Sequence, residues 1–483
     1  MSHRRLIIYS NAAAWFCLIA GCAVGPNFSR PDTRLDKSYV NGGDPTATIR
    51  ANGTVQTLDQ NTKLPADWWK LFRCPKLDGI INGALVENPG LEAAQASLRQ
   101  SQDLLRSGSG IFYPQVDAGF AATRQRYSPL RFGQNAQPSI FNLFTLSASA
   151  SYALDVFGGE RRFIEGLSAQ VDLQRNTERA AYLTLSANIA NTVIAQAAYR
   201  AQIEATEQLI DLQEKQVQLA EVQAKAGTAP YLTVLTLQSQ LDSYRATIPQ
   251  LQQRLSQTDD LLASLVGHTP AEWKAPRIDL AEISLPSNLP VSLPSELTRQ
   301  RPDILVAEAT LHAASANIGV TTAAMLPSVT LSGNYGANNI TVASLAASSA
   351  TFWGMAANVT APVFEGGTLW YQRKAAVDSY RASAALYKQT VLGAFAQVAD
   401  TLCALQHDAE ILAAQGEAVA SAEQALHLVQ ANFQAGLANY TDVLIADVQY
   451  HQAKIVDLQT IAVRDQDTVA LFVALGGGWW NAK

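Results

Sequence analysis

Few side chains in this 483-residue sequence are grouped in a way that could do chemistry. His407-Asp408 lies close to Glu410, and Glu423 precedes His427 by four residues. On a helix, the second pair shares one face and could offer two metal ligands. Two ligands without a third make a weak site, and such residues serve equally well on a solvated face. No glycine-rich phosphate loop and no nucleophile-base motif stands out. Gly476-Gly477-Gly478 follows a helical stretch rather than opening one. The expectation is therefore no catalysis, no metal and no cofactor. Cys17, Cys22, Cys74 and Cys403 form no C-x-x-C pattern, so there is no redox or zinc signature. Cys74 and Cys403 read as two buried free thiols.

Cys22 is the thiol with a defined context. Arg4 and Arg5 begin a charged segment, Leu6 to Ala20 is apolar, and Ile19-Ala20-Gly21-Cys22 follows. This is the layout of a cleaved export signal, and the apolar stretch is short for a spanning helix. Small residues before a cysteine resemble the bacterial lipobox, which implies cleavage ahead of Cys22 and a covalent lipid on its sulfur. Ala23 replaces the Asp that would favour retention in the inner membrane, and so fits the outer one.

The elements that hold these residues are easier to read. A net charge of −6 and the lack of a basic run argue against nucleic acid. The chain is also duplicated. Asn88-Pro89, Ala96 and Leu98 recur as Arg301-Pro302, Ala309 and Leu311, an offset of 213. Phe157-Gly158-Gly159 recurs as Phe364-Glu365-Gly366-Gly367. Ala226-Gly227, Tyr231 and Leu235 recur as Ala435-Gly436, Tyr440 and Leu444, an offset of 209. The period is far longer than that of solenoid repeats, so one large unit has been copied once.

Each copy carries a long proline-free run, about 161–226 and 368–435, which predicts helices of roughly 100 Å. Leu412, Val419, Leu426 and Phe433 form a seven-residue seam, and Ile203, Ile210, Val217 and Ala224 form the matching one. That spacing is coiled-coil geometry. Gly227 and Gly436 end the runs, and second helices at about 231–266 and 440–475 double back. Pro249 should kink the first of these second helices. Strands are predicted at about 115–127, 142–155, 328–336 and 352–361. In the second, Leu146, Ala148, Ala150, Tyr152 and Leu154 alternate with Ser147, Ser149 and Ser151. One apolar and one hydroxylated face suits either a membrane barrel or a soluble sandwich. Four strands cannot close a barrel, so spanning strands must be pooled between chains.

These residues resemble the TolC-like outer-membrane factors, in the lipoprotein branch that serves RND-type pumps. The carriers are Trp68-Trp69-Lys70-Leu71-Phe72, Arg301-Pro302-Asp303-Ile304, Pro362-Val363-Phe364-Glu365-Gly366-Gly367 and Ala474-Leu475-Gly476-Gly477-Gly478-Trp479. The resemblance implies a homotrimer with a twelve-stranded β-barrel in the outer-membrane lipids and a twelve-helix periplasmic barrel. It implies an equatorial domain from the N-terminal part, the Ala271 to Pro294 segment and the C-terminal end. It implies a passive efflux duct for small molecules or metal ions, fed by an RND-type transporter through a periplasmic adaptor. ABC-type and MFS-type exporters are alternatives, and a lipid-anchored periplasmic coiled-coil scaffold is a reading from another class.

By the same resemblance, Gly227, Thr228 and Ala229, with Gly436, Leu437 and Ala438, are adaptor-docking tips. Asp442 matches an acidic aperture ring, while Thr233 stands at the equivalent place in the first copy. Asp442 reads equally as a first-turn acid that complements a helix dipole. Residues 1–21 are taken as the signal, 22–67 as an extended N-terminal linker, and 68–267 and 295–479 as the two copies. Residues 268–294 join the copies, and 480–483 form a tail.

Overall fold

A computed structural model describes residues 23–31, 38–60, 62–128, 133 and 137–481. Cys22 and the signal segment lie outside the described residues. A short strand β1 (Thr57–Asp59) and a 3-10 turn (Trp68–Phe72) precede α1 (Pro75–Glu87) and α2 (Pro89–Gly108). Strands β2 (Gln115–Tyr127) and β3 (Ser139–Leu154) lead into α3 (Gly159–Lys225) and α4 (Tyr231–Val266). Then come β4 (Asn288–Pro290), α5 (Pro294–Gln300) and α6 (Pro302–Ala323). The order of the first copy repeats in β5 (Ser328–Asn339), β6 (Thr351–Thr360), α7 (Thr368–Gln434) and α8 (Tyr440–Ala474). Strands β3 and β5 extend past the predicted apolar alternation through Asn142, Asn338 and Asn339. Ladder bonds are made by the backbone and do not require an apolar side chain.

The long helices form because nothing interrupts them. Helix α3 runs 67 residues without proline, and α7 also runs 67. Asp155 opens α3, accepting from the Glu160 and Arg161 backbone N–H groups at 3.1 Å each. Helix α4 continues through Pro249, which leaves one carbonyl without its usual donor.

The chain divides into two compact units, and both draw on both copies. The first unit comprises the described part of Met1–Pro31 with Leu98–Gln174 and Ala307–Tyr387. It holds an antiparallel sheet in the order β2-β3-β5-β6. Its N-terminal segment is strapped down. Arg162 Nε donates to the Val24 carbonyl at 3.1 Å, and Nη2 donates to Asn27 Oδ1 at 2.7 Å. Phe28 stacks on His312 at 4.3 Å, and Arg30 pairs with Glu308 at 2.6 Å. A β-carbon on Gly25 would lie 2.5 Å from the Gly319 Cα, so this approach requires glycine.

The second unit comprises the described parts of Asp32–Ser97, Arg175–Val306 and Lys388–Lys483. Its core explains the tryptophan motif. Trp68, Phe72, Leu77 and Phe472 are fully buried, and Trp68 meets Phe472 at 5.6 Å. The Trp69 indole donates to Asp78 Oδ1 at 2.9 Å. Segments from three parts of the chain meet here. Strand β1 pairs in parallel with β4, and Asn481 Nδ2 donates to the Leu64 carbonyl at 2.7 Å. Buried Arg464 donates from Nε to Gln56 Oε1 at 3.0 Å, which fastens the N-terminal stretch to α8.

Two expectations need correction. The buried seam of α3 keeps Val217 of the predicted one but is otherwise offset: Gln202, Leu209, Gln213, Gln216 and Ala220 are buried, while Ile203, Ile210 and Ala224 are only half-buried. Glutamine can occupy a seam when its amide is bonded, as Gln213 Nε2 is to the Leu237 carbonyl at 3.2 Å. Cys74 is buried, but Cys403 is exposed on α7, because it lies off the buried line of Val398, Leu402 and Leu405.

The duplication preserves one device with unusual fidelity. Asn88 Nδ2 donates to the Leu265 carbonyl at 2.9 Å, and its counterpart Arg301 donates from Nη1 to the Ala474 carbonyl at 2.7 Å. Each bond satisfies an orphan carbonyl in the last turn of a hairpin's second helix. Gly267 (φ 99°) and Gly476 (φ 94°) follow those turns in the left-handed region. A β-carbon on Gly267 would lie 2.4 Å from the Glu87 carbonyl oxygen. Gly267→Ala should therefore cost more than the ~1–2 kcal/mol of left-handed strain alone, read as a lowered denaturation midpoint.

A second prediction concerns pH. Burial pushes the Asp465 carboxyl up to about 7, and adjacent Arg464 opposes this only in part. The folded chain then holds this proton more tightly than the unfolded chain. Its contribution is full below about pH 4 and is lost as pH rises toward 7. Asp465→Asn should flatten that decline and raise the denaturation midpoint at pH 8 relative to wild type. A difference between the two proteins that is the same at pH 4 and pH 8 would contradict this.

Candidate channel wall and hairpin tips

Strand register assigns every sheet residue to a face. Phe120 stands opposite Leu146, Leu146 opposite Ala337, and Tyr335 opposite Trp353. Opposed residues share a face, so one side carries Val116, Phe120, Phe144, Leu146, Leu331, Tyr335, Trp353 and Met355. Most of these large side chains are exposed, with Met355 at 84% and Trp353 at 75%. The other side carries Thr145, Ser147, Ser149, Ser151, Thr330, Ser332, Asn334 and Asn358, together with Phe141, Leu143 and Phe352. From Phe144 to Leu154 the apolar side of β3 runs about 34 Å, or about 24 Å when tilted by 45°, close to the apolar band of a membrane barrel.

Both edges of this sheet are open. Strand β2 offers one edge over 13 residues and β6 the other over 10. Each unpaired backbone group in lipid costs several kcal/mol. Two such edges amount to tens of kcal/mol, more than the ~5–15 kcal/mol that stabilises a whole domain. The sheet is thus one sector of a larger closed structure.

Two charged residues stand on the apolar side. Arg124 is opposite Asn142 and Arg126 is opposite Ile140, on the same side as Phe120 and Leu146. Continuing the period of two beyond Ala122 would have placed them there. Arginine on a lipid face costs about 2–4 kcal/mol at the midplane and about 0–1 near the interfaces. The difference fixes this end of β2 at an interface.

The two hairpin turns share one geometry. Gly227 (φ 74°) and Gly436 (φ 75°) both occupy the left-handed region. Their N–H groups donate to the Ala224 and Phe433 carbonyls at 3.1 and 3.0 Å. The next N–H groups, of Thr228 and Leu437, reach back to Gln223 and Asn432 at 2.9 and 2.8 Å. This is a Schellman stop in both copies. Beyond it the tips differ. Thr228 Oγ1 turns inward to the Gln223 carbonyl at 3.0 Å, while Leu437 is 80% exposed. Ala229 and Ala438 are half-buried beneath their turns.

Asp442 sits in the first turn of α8 and is exposed. Its N–H donates to Asn439 Oδ1 at 3.0 Å, and its Oδ2 accepts from the Asn439 N–H at 3.2 Å. This capping box is the helix-start role. Thr233 is exposed on α4, where Pro230 caps the helix without a side-chain bond. The structure brings Asp442 to its cap and does not bring Thr233 to it. His407 bonds Glu410 at 3.0 Å, and no group of three metal-binding side chains occurs among the described residues.

A sequence profile of the outer membrane efflux protein family matches residues 80–268 and 293–477. The pyoverdine export outer membrane protein OpmQ of Pseudomonas putida is 30% identical, over 85% of this chain and 88% of its own. The cation efflux system protein CusC of Escherichia coli O6:H1 is 27% identical, over 96% and 98%. Among solved structures, the outer membrane protein VceC of Vibrio cholerae superposes with a TM-score of 0.77 and 27% identity, over 86% of this chain and 100% of that one.

The tip geometry yields a contrast with Gly267. A β-carbon on Gly227 or Gly436 would meet nothing within 4 Å. Gly227→Ala should cost only the ~1–2 kcal/mol of left-handed strain. Amide exchange should quicken at Ala224 to Ala229, and the denaturation midpoint should fall less than it does for Gly267→Ala. A large fall in that midpoint would count against it.

Proposed function

We propose a mechanism for this protein from one premise: the chain belongs to the outer membrane efflux protein family. It is an outer-membrane channel component of an efflux system, resident in the outer membrane. The observation that carries the mechanism is the two-faced sheet with both edges unpaired. Three chains pool twelve strands, each open β2 edge pairing with a neighbour's β6, and no backbone group is left facing lipid. Mostly hydroxyl and amide side chains line the water-filled side, with Asp117 as the charge on that side of β2 and Phe141, Leu143 and Phe352 as its large apolar groups. Such a wall supports a permissive passive duct with no catalytic role. One relative is named for pyoverdine export and another for cation efflux, which also supports selection by other components.

The partners are read more finely. A periplasmic adaptor docks on the tips at Gly227, Thr228 and Ala229 and at Gly436, Leu437 and Ala438. The tight turns support this, because they expose backbone and, at Leu437, an apolar side chain. The Arg301-Pro302-Asp303 run favours an RND-type transporter as the source of energy. Cys22 carries the lipid anchor. Asp442, repeated around the threefold axis, forms an acidic ring at the periplasmic aperture, with Thr233 between the acids. Its capping bond uses Oδ2, and the side chain stays exposed to passing cations.

Protein extracted from outer membranes in detergent should have the mass of three chains and conduct in planar bilayers. A monomer without conductance would overturn the proposal. In a salt gradient, Asp442→Ala should shift the reversal potential toward lower cation selectivity, and an unchanged potential would remove the ring.

A further inference from the structure

We infer that Arg124 and Arg126 form a binding surface for the phosphate groups of outer-leaflet lipid. Register places both side chains on the apolar side of the sheet, beyond its last apolar pair, Ala122 opposite Phe144. They stand at the hairpin end of β2 and β3, the end away from Asp155 and the start of α3. Both are exposed, and neither makes an ion pair among the described residues. Their cross-strand neighbours are Asn142 and Ile140, so no carboxylate stands opposite to neutralise them. At the edge of a lipid-facing band the two guanidinium groups lie at headgroup depth, where their low cost leaves them free to meet an anion. A guanidinium fork matches a phosphate through two parallel N–H···O bonds. The anion at that depth is the phosphorylated headgroup of the surrounding lipid. Three chains would set six arginines around the outer rim.

The inference rests on the sheet being the membrane wall, and the test separates the two. Purified channel is titrated with lipid A, with lipid A stripped of its phosphates, and with inorganic phosphate. Bound lipid is read by native mass spectrometry, and conductance is recorded on the same samples. Wild type should prefer the phosphorylated lipid by roughly thirtyfold, the factor for two basic contacts at an anionic surface. R124Q/R126Q should lose that preference while conducting like wild type. R124K/R126K should keep most of it, because charge survives and only the fork is lost. Equal binding of the two lipids by wild type would overturn the site. So would displacement of lipid by millimolar inorganic phosphate, which would make the ligand a free anion. Wild type that binds phosphorylated lipid but never conducts would sink the channel reading and leave the headgroup site standing.

Discussion

The open edges of the four-stranded sheet are the constraint to which the rest of the chain answers. A sheet with an apolar side and a hydroxylated side is at home between lipid and water, but only if its edges are closed. Closure within one chain is out of reach at four strands. Association is therefore a condition of the fold in lipid rather than an addition to it. It also explains why Val116, Trp353 and Met355 can be so exposed in a single chain. In the membrane, lipid covers them.

Inside the chain, the duplication solves the same problem twice with different residues. At the end of α4 an asparagine closes the last turn, and at the end of α8 an arginine does so. The arginine does more: it also binds Asp303 at 2.8 Å and Gln397 at 2.9 Å, tying α6 to α7. The Arg-Pro-Asp motif thus has a mechanical explanation before any functional one. The glycines beside it stay glycine because backbone passes within van der Waals distance.

The sequence disclosed the helices and hairpins well, because proline-free runs and left-handed glycines are local signals. Gly227 and Gly436 announce their own conformation. The strand ends were less legible: Asn142 and Asn339 break the apolar alternation, yet backbone bonding continues through them. Along α3 the expected seam is right only at Val217, because isoleucine looks more like core than glutamine does. Which of them faces inward depends on partners such as Leu237, distant in sequence. Arg124 and Arg126 were visible as letters, but their meaning required the register with β3. The capping box at Asn439 and Asp442 follows from their spacing, whereas an aperture role depends on chains beyond this one.

The equal lengths of α3 and α7 bear on how such a gene can change. Both helices have 67 residues, while paired strands differ, 13 and 16 in one copy against 12 and 10 in the other. Inserting one residue in a helix advances everything beyond it by about 1.5 Å and rotates it by about 100°, taking buried side chains off the seam. Inserting one in a strand connection adds only a small closure entropy. Insertions and deletions should therefore survive between the strands and be purged from the hairpins. The two halves would then drift apart in length chiefly outside the long helices, as at Glu365, which has no counterpart between Phe157 and Gly158.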